Sequence, residues 1–224
     1  MKHIVVLTGA GMSAESGVKT FRDHDGLWEG HDVMKVASPE GFRQNPELVL
    51  DFYNQRRRQL KEVQPNDAHK AIVALEEQYK VTVVTQNVDD LHERAGSTDV
   101  VHLHGELRKI RSSGNPNDIR VWTEDLRVGD TCKKGYQLRP HIVWFGEDVP
   151  MMDTAIKICY AADILLIIGT SMQVYPAASL INYVQPDTAI YYIDPKPAFV
   201  GHQNIKVIAK TATEGMKDLL EILK

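Results

Sequence analysis

Hydrophobic positions along the chain fall into two patterns. Residues 4–7 and, from Ile164 on, 163–168 are continuously apolar and read as buried parallel strands, and 81–85, 100–103, 141–144, 189–193 and 205–208 read as further strands. Between them lie helical signals. Residues 46–60 place Leu48, Phe52 and Tyr53 on one stripe. Asn66 or Asp67 caps a helix reaching residue 78, and Asp153 caps one that carries Ile156, Cys159 and Tyr160. Residues 13–17 read as a short helix start, and 176–184 as a further helix. The last helix shows Met216, Leu219, Leu220 and Leu223 at i, i+3, i+4 and i+7. Residues 108–140 break this rhythm. They are dense in turn formers at 112–118 and 129–135 and read as a small appended module.

Strands alternating with helices predict an α/β fold, a doubly wound parallel sheet. Ligands of such sheets sit beyond the carboxyl ends of the strands. Four loops follow strand ends here: Gly9-Ala10-Gly11, Gln86-Asn87-Val88-Asp89, Gly169-Thr170-Ser171 and Asp194-Pro195. The pattern therefore predicts that they line one crevice.

Composition adds mainly exclusions. With 43% hydrophobic and 25% charged residues the chain is ordinary for a water-soluble globular protein. A formal net charge of −4 argues against general nucleic-acid binding. No apolar run approaches the length of a membrane span. Strand signal begins right after Met1-Lys2-His3, which leaves no room for a signal peptide, and two cysteines make no disulfide framework. The expected setting is the cytoplasm, without membrane or nucleic-acid partners.

The chemistry begins at Gly9, Gly11 and Ala14, which fit G-x-G-x-x-G/A directly after a strand. Glycine there lets backbone N–H groups approach a pyrophosphate. A hydride-transferring enzyme then needs a second strand ending in an acidic residue. This chain instead runs into Thr20, Phe21, Arg22, Asp23 and Asp25-Gly26, a polar loop. Taken singly, the remaining pieces have plain structural readings. Gly-Ala-Gly can be a tight turn, Gln86–Asp89 a capped helix start and Gly169–Ser171 a strand-end turn. His102 and His104 can be structural, because no acidic or cysteine partner stands at metal-ligand spacing.

Together and in order, "GAGMSAESGVKTFRD", "TQNVDDLHERAG", "VVHLHGEL", "PHIVWFGE" and "GTSMQVYPAA" closely resemble the sirtuin family of NAD-dependent protein-lysine deacylases, over about residues 3–213. The resemblance implies that NAD is a co-substrate to be cleaved. The loop from Thr20 to Trp28 would then close over the nicotinamide ribose and exclude water. It assigns Gly9, Ala10, Gly11, Ser13, Ala14 and Glu15 to the pyrophosphate and ribose loop, and Phe21 and Arg22 to the reacting ribose. Gln86, Asn87, Val88 and Asp89 fall in the nicotinamide and ribose pocket, Gly169, Thr170 and Ser171 on the adenosine side, with Asp194 and Pro195 in the same cleft and Ala212 near the adenine. His104 matches the catalytic base, with Asn87 and Asp89 completing the catalytic set. Val143, Trp144, Phe145 and Gly146 resemble the strand that pairs with the backbone of an acyl-lysine protein or peptide. The implied products are free lysine, nicotinamide and an O-acyl-ADP-ribose.

Three features refine the resemblance. "FYNQRRRQL" is similar to the Tyr-x-x-Arg of the branch that removes succinyl and malonyl groups. Tyr53 and Arg56 share a helical face, a phenol and a guanidinium suit a carboxylate, and Ala37 matches a small residue that widens the acyl pocket. The plain alternative is a surface helix with a basic run at Arg56-Arg57-Arg58. The family carries two cysteine pairs where residues 108–140 lie, whereas here only Cys132 remains and Ser112 stands where a cysteine is expected. One thiolate cannot make a four-ligand site, so no zinc is expected, and Trp122 packing is expected to help hold the segment. Asp194 stands where Asn is common. The expectation is a single sirtuin-like catalytic domain: a Rossmann-like lobe over about 1–34, 64–107 and 141–224, and a small inserted lobe over about 35–63 and 108–140 that has lost its zinc-binding cysteines. A monomer is the default. Protein mono-ADP-ribosyl transfer and a catalytically silent NAD or ADP-ribose sensor remain as alternatives.

Overall fold

The computed structural model describes residues 1–19, 27–28, 30–198, 201 and 204–223. In chain order the strands are β1 (His3–Thr8), β2 (Leu27–Trp28), β3 (His31–Asp32), β4 (Lys80–Thr85), β5 (Val100–His102), β6 (Gly105–Ser112), β7 (Asn115–Val121), β8 (Leu138–Ile142), β9 (Ile164–Ile168), β10 (Ala189–Ile193) and β11 (Ile205–Ile208). The helices are α1 (Gly11–Ala14), α2 (Val33–Val36), α3 (Pro39–Gln44), α4 (Pro46–Gln59), α5 (Asp67–Leu75), α6 (Leu91–Ala95), α7 (Met152–Tyr160) and α8 (Ala212–Leu223).

Six strands form one parallel sheet in the order β11-β10-β9-β1-β4-β5. Successive residues of a strand face opposite sides, and β1 shows the consequence. Ile4 and Val6 pack with Ile72, Leu166, Met216 and Leu219 on one face. Val5 and Leu7 pack with Leu165, Ile167, Leu180 and Tyr192 on the other. Both faces of the central strands β1, β9 and β10 are covered, which is why they are almost continuously apolar, whereas the edge strands β5 and β11 are only partly buried. None of the described helices is long and apolar enough to cross a membrane.

Several boundaries differ from the pattern-based expectation. The first helix starts at Gly11 and ends at Ala14, because the turn at Gly9-Ala10 leads straight into it. Asn66 is the cap of α5, its side chain accepting from the Ala68 and His69 N–H groups, and the helix ends at Leu75. Asp153 lies inside the first turn of α7, with Met151 at the cap, and Tyr160 is 65% exposed rather than on the buried stripe. The 176–184 segment is a 3₁₀ helix, Ala177–Tyr183. Residues 141–144 are not a strand of the main sheet. Its first two residues end β8, which pairs antiparallel with β6 in a separate sheet ordered β7-β6-β8.

That smaller sheet is held by α4. Leu50, Ile110, Leu126, Cys132 and Leu138 form its core, with Trp122 packed against it. Asn54 receives the Leu126 N–H at 2.9 Å and donates to the Leu126 carbonyl at 2.9 Å. Arg57, in the middle of the apparently solvated basic run, is 1% exposed and donates to the Leu107 and Glu124 carbonyls and to Asn54 Oδ1. Ser112 Oγ donates to Cys132 Sγ at 3.4 Å. The second cysteine, Cys159, belongs to the core of the main sheet, so the chain's two cysteines stand in separate cores.

Candidate active site

The order of strands in the main sheet reverses at β1. From there the chain builds outward through β4 and β5 on one side and through β9, β10 and β11 on the other. Crevices for ligands form at such a switch point, beyond the carboxyl ends of the two strands. The loops after β1 and β9 meet there: Gly9 N–H bonds the Ile168 carbonyl and Gly11 N–H the Gly169 carbonyl at 2.8 Å. Their approach requires glycine. Gly169 has φ +63°, and a Cβ on it would stand 2.2 Å from the Met12 nitrogen. The loop after β4 joins them, with Gln86 Nε2 donating to Thr170 Oγ1 at 3.1 Å. The amides of Ala10, Thr170 and Ser171 donate to none of the described residues, so the crevice holds unspent N–H groups of the kind that cradle a pyrophosphate.

Ser13 knits the second layer. Its hydroxyl accepts from Asn87 Nδ2 at 3.1 Å and donates to Asp89 Oδ2 at 2.9 Å. Burial raises the pKa of Asp89, while bonds from the Leu91 N–H and Ser13 oppose that rise. Val88 gives its carbonyl to Leu107. Other residues assigned to this region do structural work. Glu15 receives the Thr213 N–H and hydroxyl, which caps the start of α8 just after the buried Ala212. Asp194 is fully buried and receives the Lys196 N–H at 2.8 Å, forming a turn through Pro195. Ala14 is exposed at the end of α1. Thr20, Phe21 and Arg22 lie outside the described residues.

The two histidines after β5 are alike in sequence and opposite in state. His102 Nδ1 faces the Asn87 carbonyl at 2.9 Å and Nε2 faces Glu93 Oε1 at 2.7 Å. Both partners only accept, so both ring nitrogens carry hydrogen. Burial alone lowers its pKa, but the Glu93 bond and charge outweigh burial and raise it. The structure thus supplies the acidic neighbours that sequence spacing did not show: Glu93, His102 and Glu106 bring ligand-type atoms within 4.8 Å of one another. These groups are engaged with each other and with Lys109. Among the described residues His104 has no carboxylate partner. Its Nδ1 donates to the Gln86 carbonyl at 3.1 Å, and burial lowers its pKa. It is therefore neutral near pH 7, with the Nε2 lone pair available as a base. Gly105 follows with φ +81°, and a Cβ there would lie 2.0 Å from the His141 carbonyl oxygen. The chain turns at this glycine from the parallel sheet into β6, which leaves His104 at the junction of the two sheets.

The expected substrate strand is an irregular segment after β8. Val143 N–H bonds the His104 carbonyl, Trp144 N–H bonds Glu147 Oε2 and Phe145 N–H bonds the Ala37 carbonyl, so these amides are spent. Gly146, with φ +89°, keeps an N–H that bonds none of the described residues. Tyr53 and Arg56 lie beside this segment. Tyr53 is 1% exposed, packed among Trp28, Phe52 and Trp144, and its oxygen accepts from Trp144 Nε1 at 3.0 Å. Burial holds its pKa far above the usual phenol value, so it stays an O–H donor. Arg56 donates to the Phe52 carbonyl at 2.7 Å and lies 3.6 Å from the centre of the Phe52 ring. Ala37 is buried in the same cluster. The Tyr53 face of α4 is thus not a solvated surface. Sequence reasoning missed Asn54, Arg57, Gly105, Arg139 and Glu147; Asn54 and Arg57 bond main chain 50 to 72 residues away, and Arg139 and Glu147 pair across an irregular segment that shows no periodic pattern. Only the polar residues inside an otherwise amphipathic α4 left a trace.

Known proteins share this fold and much of this sequence. The Sir2 family model matches residues 9–176. A protein of Helicobacter pylori (strain ATCC 700392 / 26695) named NAD-dependent protein deacylase is 60% identical over 222 residues, covering 98% of this chain and 96% of that protein. One of the same name from Bacteroides thetaiotaomicron is 51% identical, covering 100% and 98%. The crystal structure of a Sir2 homologue–NAD complex superposes with a TM-score of 0.89 at 40% identity, covering 99% of this chain and 89% of that one. The six-stranded parallel sheet and the separate antiparallel sheet agree with these matches, and the chain belongs to the Sir2 family, the sirtuins.

Proposed function

We propose that the protein is an NAD-dependent protein-lysine deacylase and that it removes succinyl and malonyl groups alongside acetyl. The observation that carries the deacylase reading is the neutral His104, held at Nδ1 by the Gln86 carbonyl and standing between the Gln86–Asp89 loop and the segment starting at Val143. The relatives that carry the name support the same reading.

NAD suits the residues at hand. The unspent amides of Ala10, Thr170 and Ser171 match its pyrophosphate, and the Ser13–Asn87–Asp89 chain supplies polar groups toward the ribose and carboxamide. When bound, NAD supplies a ribose carbon that the acyl oxygen can attack as nicotinamide leaves. The protein's part is to bind, orient and move one proton. His104 Nε2 accepts that proton from the ribose hydroxyl system. The lone pair is available above the histidine's lowered pKa and is lost as pH falls through it. The backbone of the acyl-lysine peptide meets the segment of Val143, Trp144, Phe145 and Gly146 through the Gly146 N–H.

The succinyl and malonyl reading rests on Tyr53. Its oxygen already accepts from Trp144, and its own hydrogen goes to none of the described residues. A buried O–H donor that does not ionise, one helical turn from a guanidinium and next to the small Ala37, suits a carboxylate-tipped acyl chain. Nicotinamide release should require an acyl-lysine peptide, which separates a deacylase from a sensor or a general NAD hydrolase. Arg56→Met should then cost succinyl-lysine peptides about 1.5–3 kcal/mol in kcat/KM, the range for hydrogen bonds to charged groups, and leave acetyl-lysine nearly unchanged. Equal losses on both peptides would sink the carboxylate reading.

A further inference from the structure

Tyr53 keeps its own hydrogen for an acyl carboxylate because the group bonded to its oxygen, the Trp144 indole N–H at 3.0 Å, can only donate, and that bond also orients the hydroxyl. A phenol has one hydrogen and two lone pairs, whereas an indole N–H only donates. Tyr53 is 1% exposed, so water does not stand in for the indole. What fixes the indole is a buried ionic clamp. Arg139 lies over the ring, its guanidinium carbon 3.3 Å from the ring centre. Arg139 Nη1 donates to Glu147 Oε1 at 2.6 Å, and Nη2 donates to Glu147 Oε2 at 3.0 Å and to the Ile142 carbonyl at 2.9 Å. Glu147 Oε2 also accepts the Trp144 N–H at 2.8 Å, so main chain and ring of Trp144 are held by the same ion pair. Arg111 closes the carboxylate from the other side at 3.1 and 3.2 Å. Phe42 borders the indole at 5.2 Å between ring centres. The side chains of Arg139 and Glu147 are 9% and 20% exposed. Buried charges are costly, and this pair is retained with every carboxylate oxygen bonded.

We propose that Arg139 and Glu147 are positioning residues for acyl selection: through Trp144 they hold the Tyr53 oxygen so that its hydrogen faces an incoming carboxylate. The inference rests on the carboxylate reading of Tyr53 and Arg56 given above. It requires that the clamp act on the succinyl chain and that it act through Tyr53.

The test is a double-mutant cycle read as the ratio of succinyl to acetyl kcat/KM. Arg139→Met should lower that ratio at least fivefold, through KM for the succinyl peptide, with KM for NAD unchanged. In a Tyr53→Phe background the same substitution should change the ratio less than twofold, because the hydroxyl it orients is gone. A merely structural clamp would lower both activities together and show no such coupling. Glu147→Gln keeps volume and an acceptor for the Trp144 N–H while weakening the Arg139 pair. It should move the ratio in the same direction, and it decides the matter if Arg139→Met proves unfolded by circular dichroism. If Tyr53→Phe lowers the ratio but the clamp variants do not, the positioning role is overturned and the carboxylate reading stands. An Arg139→Met effect of equal size in both backgrounds also overturns it. If neither Tyr53→Phe nor Arg56→Met moves the ratio, the carboxylate reading falls and the inference falls with it.

Discussion

Lowering the pH from 7.5 to 5 should destabilise the fold through one buried ring, His69. This side chain is fully buried at the start of α5, where its Nδ1 accepts the Asn66 N–H at 3.3 Å as half of a capping box. Burial lowers its pKa from 6.5 to about 4. It packs edge-on against His92, 4.8 Å between centres, whose pKa burial also pushes well below the usual value. The unfolded chain therefore binds a proton between pH 6.5 and 4 that the folded chain refuses, and stability rises with pH across that window. The contribution is fully present above 6.5 and is lost as pH falls toward 4. The gap between the two values corresponds to about 3 kcal/mol at the limit, of which about 2 kcal/mol is lost by pH 5. Urea denaturation of wild type and His69→Gln at pH 7.5, 6 and 5 isolates this share. The amide keeps an acceptor for Asn66 and does not titrate. The wild type should lose about 2 kcal/mol more than the variant between pH 7.5 and 5. Equal losses in the two proteins would refute the account.

His104→Ala should cut kcat by roughly 10²–10⁴, the usual share of a general base, while leaving NAD affinity in place by equilibrium binding; near-normal turnover would rule out the base. Elemental analysis should find no stoichiometric zinc, and chelators should leave the melting temperature unchanged. Asn54→Ala should instead lower stability by about 2–4 kcal/mol in chemical denaturation, since it strips partners from a buried N–H and a buried carbonyl of Leu126.

The main sheet was legible because its central strands β1 and β9 are buried on both faces and its partly buried edge strands β5 and β11 still carry branched apolar residues. Residues 189–193 and 205–208 coincide with β10 and β11. The smaller sheet was not legible, for a related reason. In β7, Asn-Pro-Asn-Asp-Ile-Arg-Val, every residue is exposed or only partly buried, so an edge strand carried no hydrophobic signal, and turn formers concealed it. The crevice loops could be read from glycine and amide spacing. The difference between His102 and His104 could not. It is created by Glu93, nine residues before His102, and by carbonyls of the preceding loop. Asn54 and Arg57 looked like solvated helix positions because their partners are main-chain groups 50 to 72 residues further on.

The clasp that α4 makes on the smaller sheet has a consequence for the order in which the chain folds. A lobe pinned by its own metal ligands closes locally, as soon as its hairpins form and the ion arrives. Here the partners of Leu126 sit 72 residues earlier. Ordering the 122–138 segment thus requires a long loop to close first, and non-local closure is the slow part of folding. α4 is also the helix that carries Tyr53 and Arg56. The residues proposed for the acyl chain and the contacts that hold the smaller sheet therefore share one helix and are expected to order together.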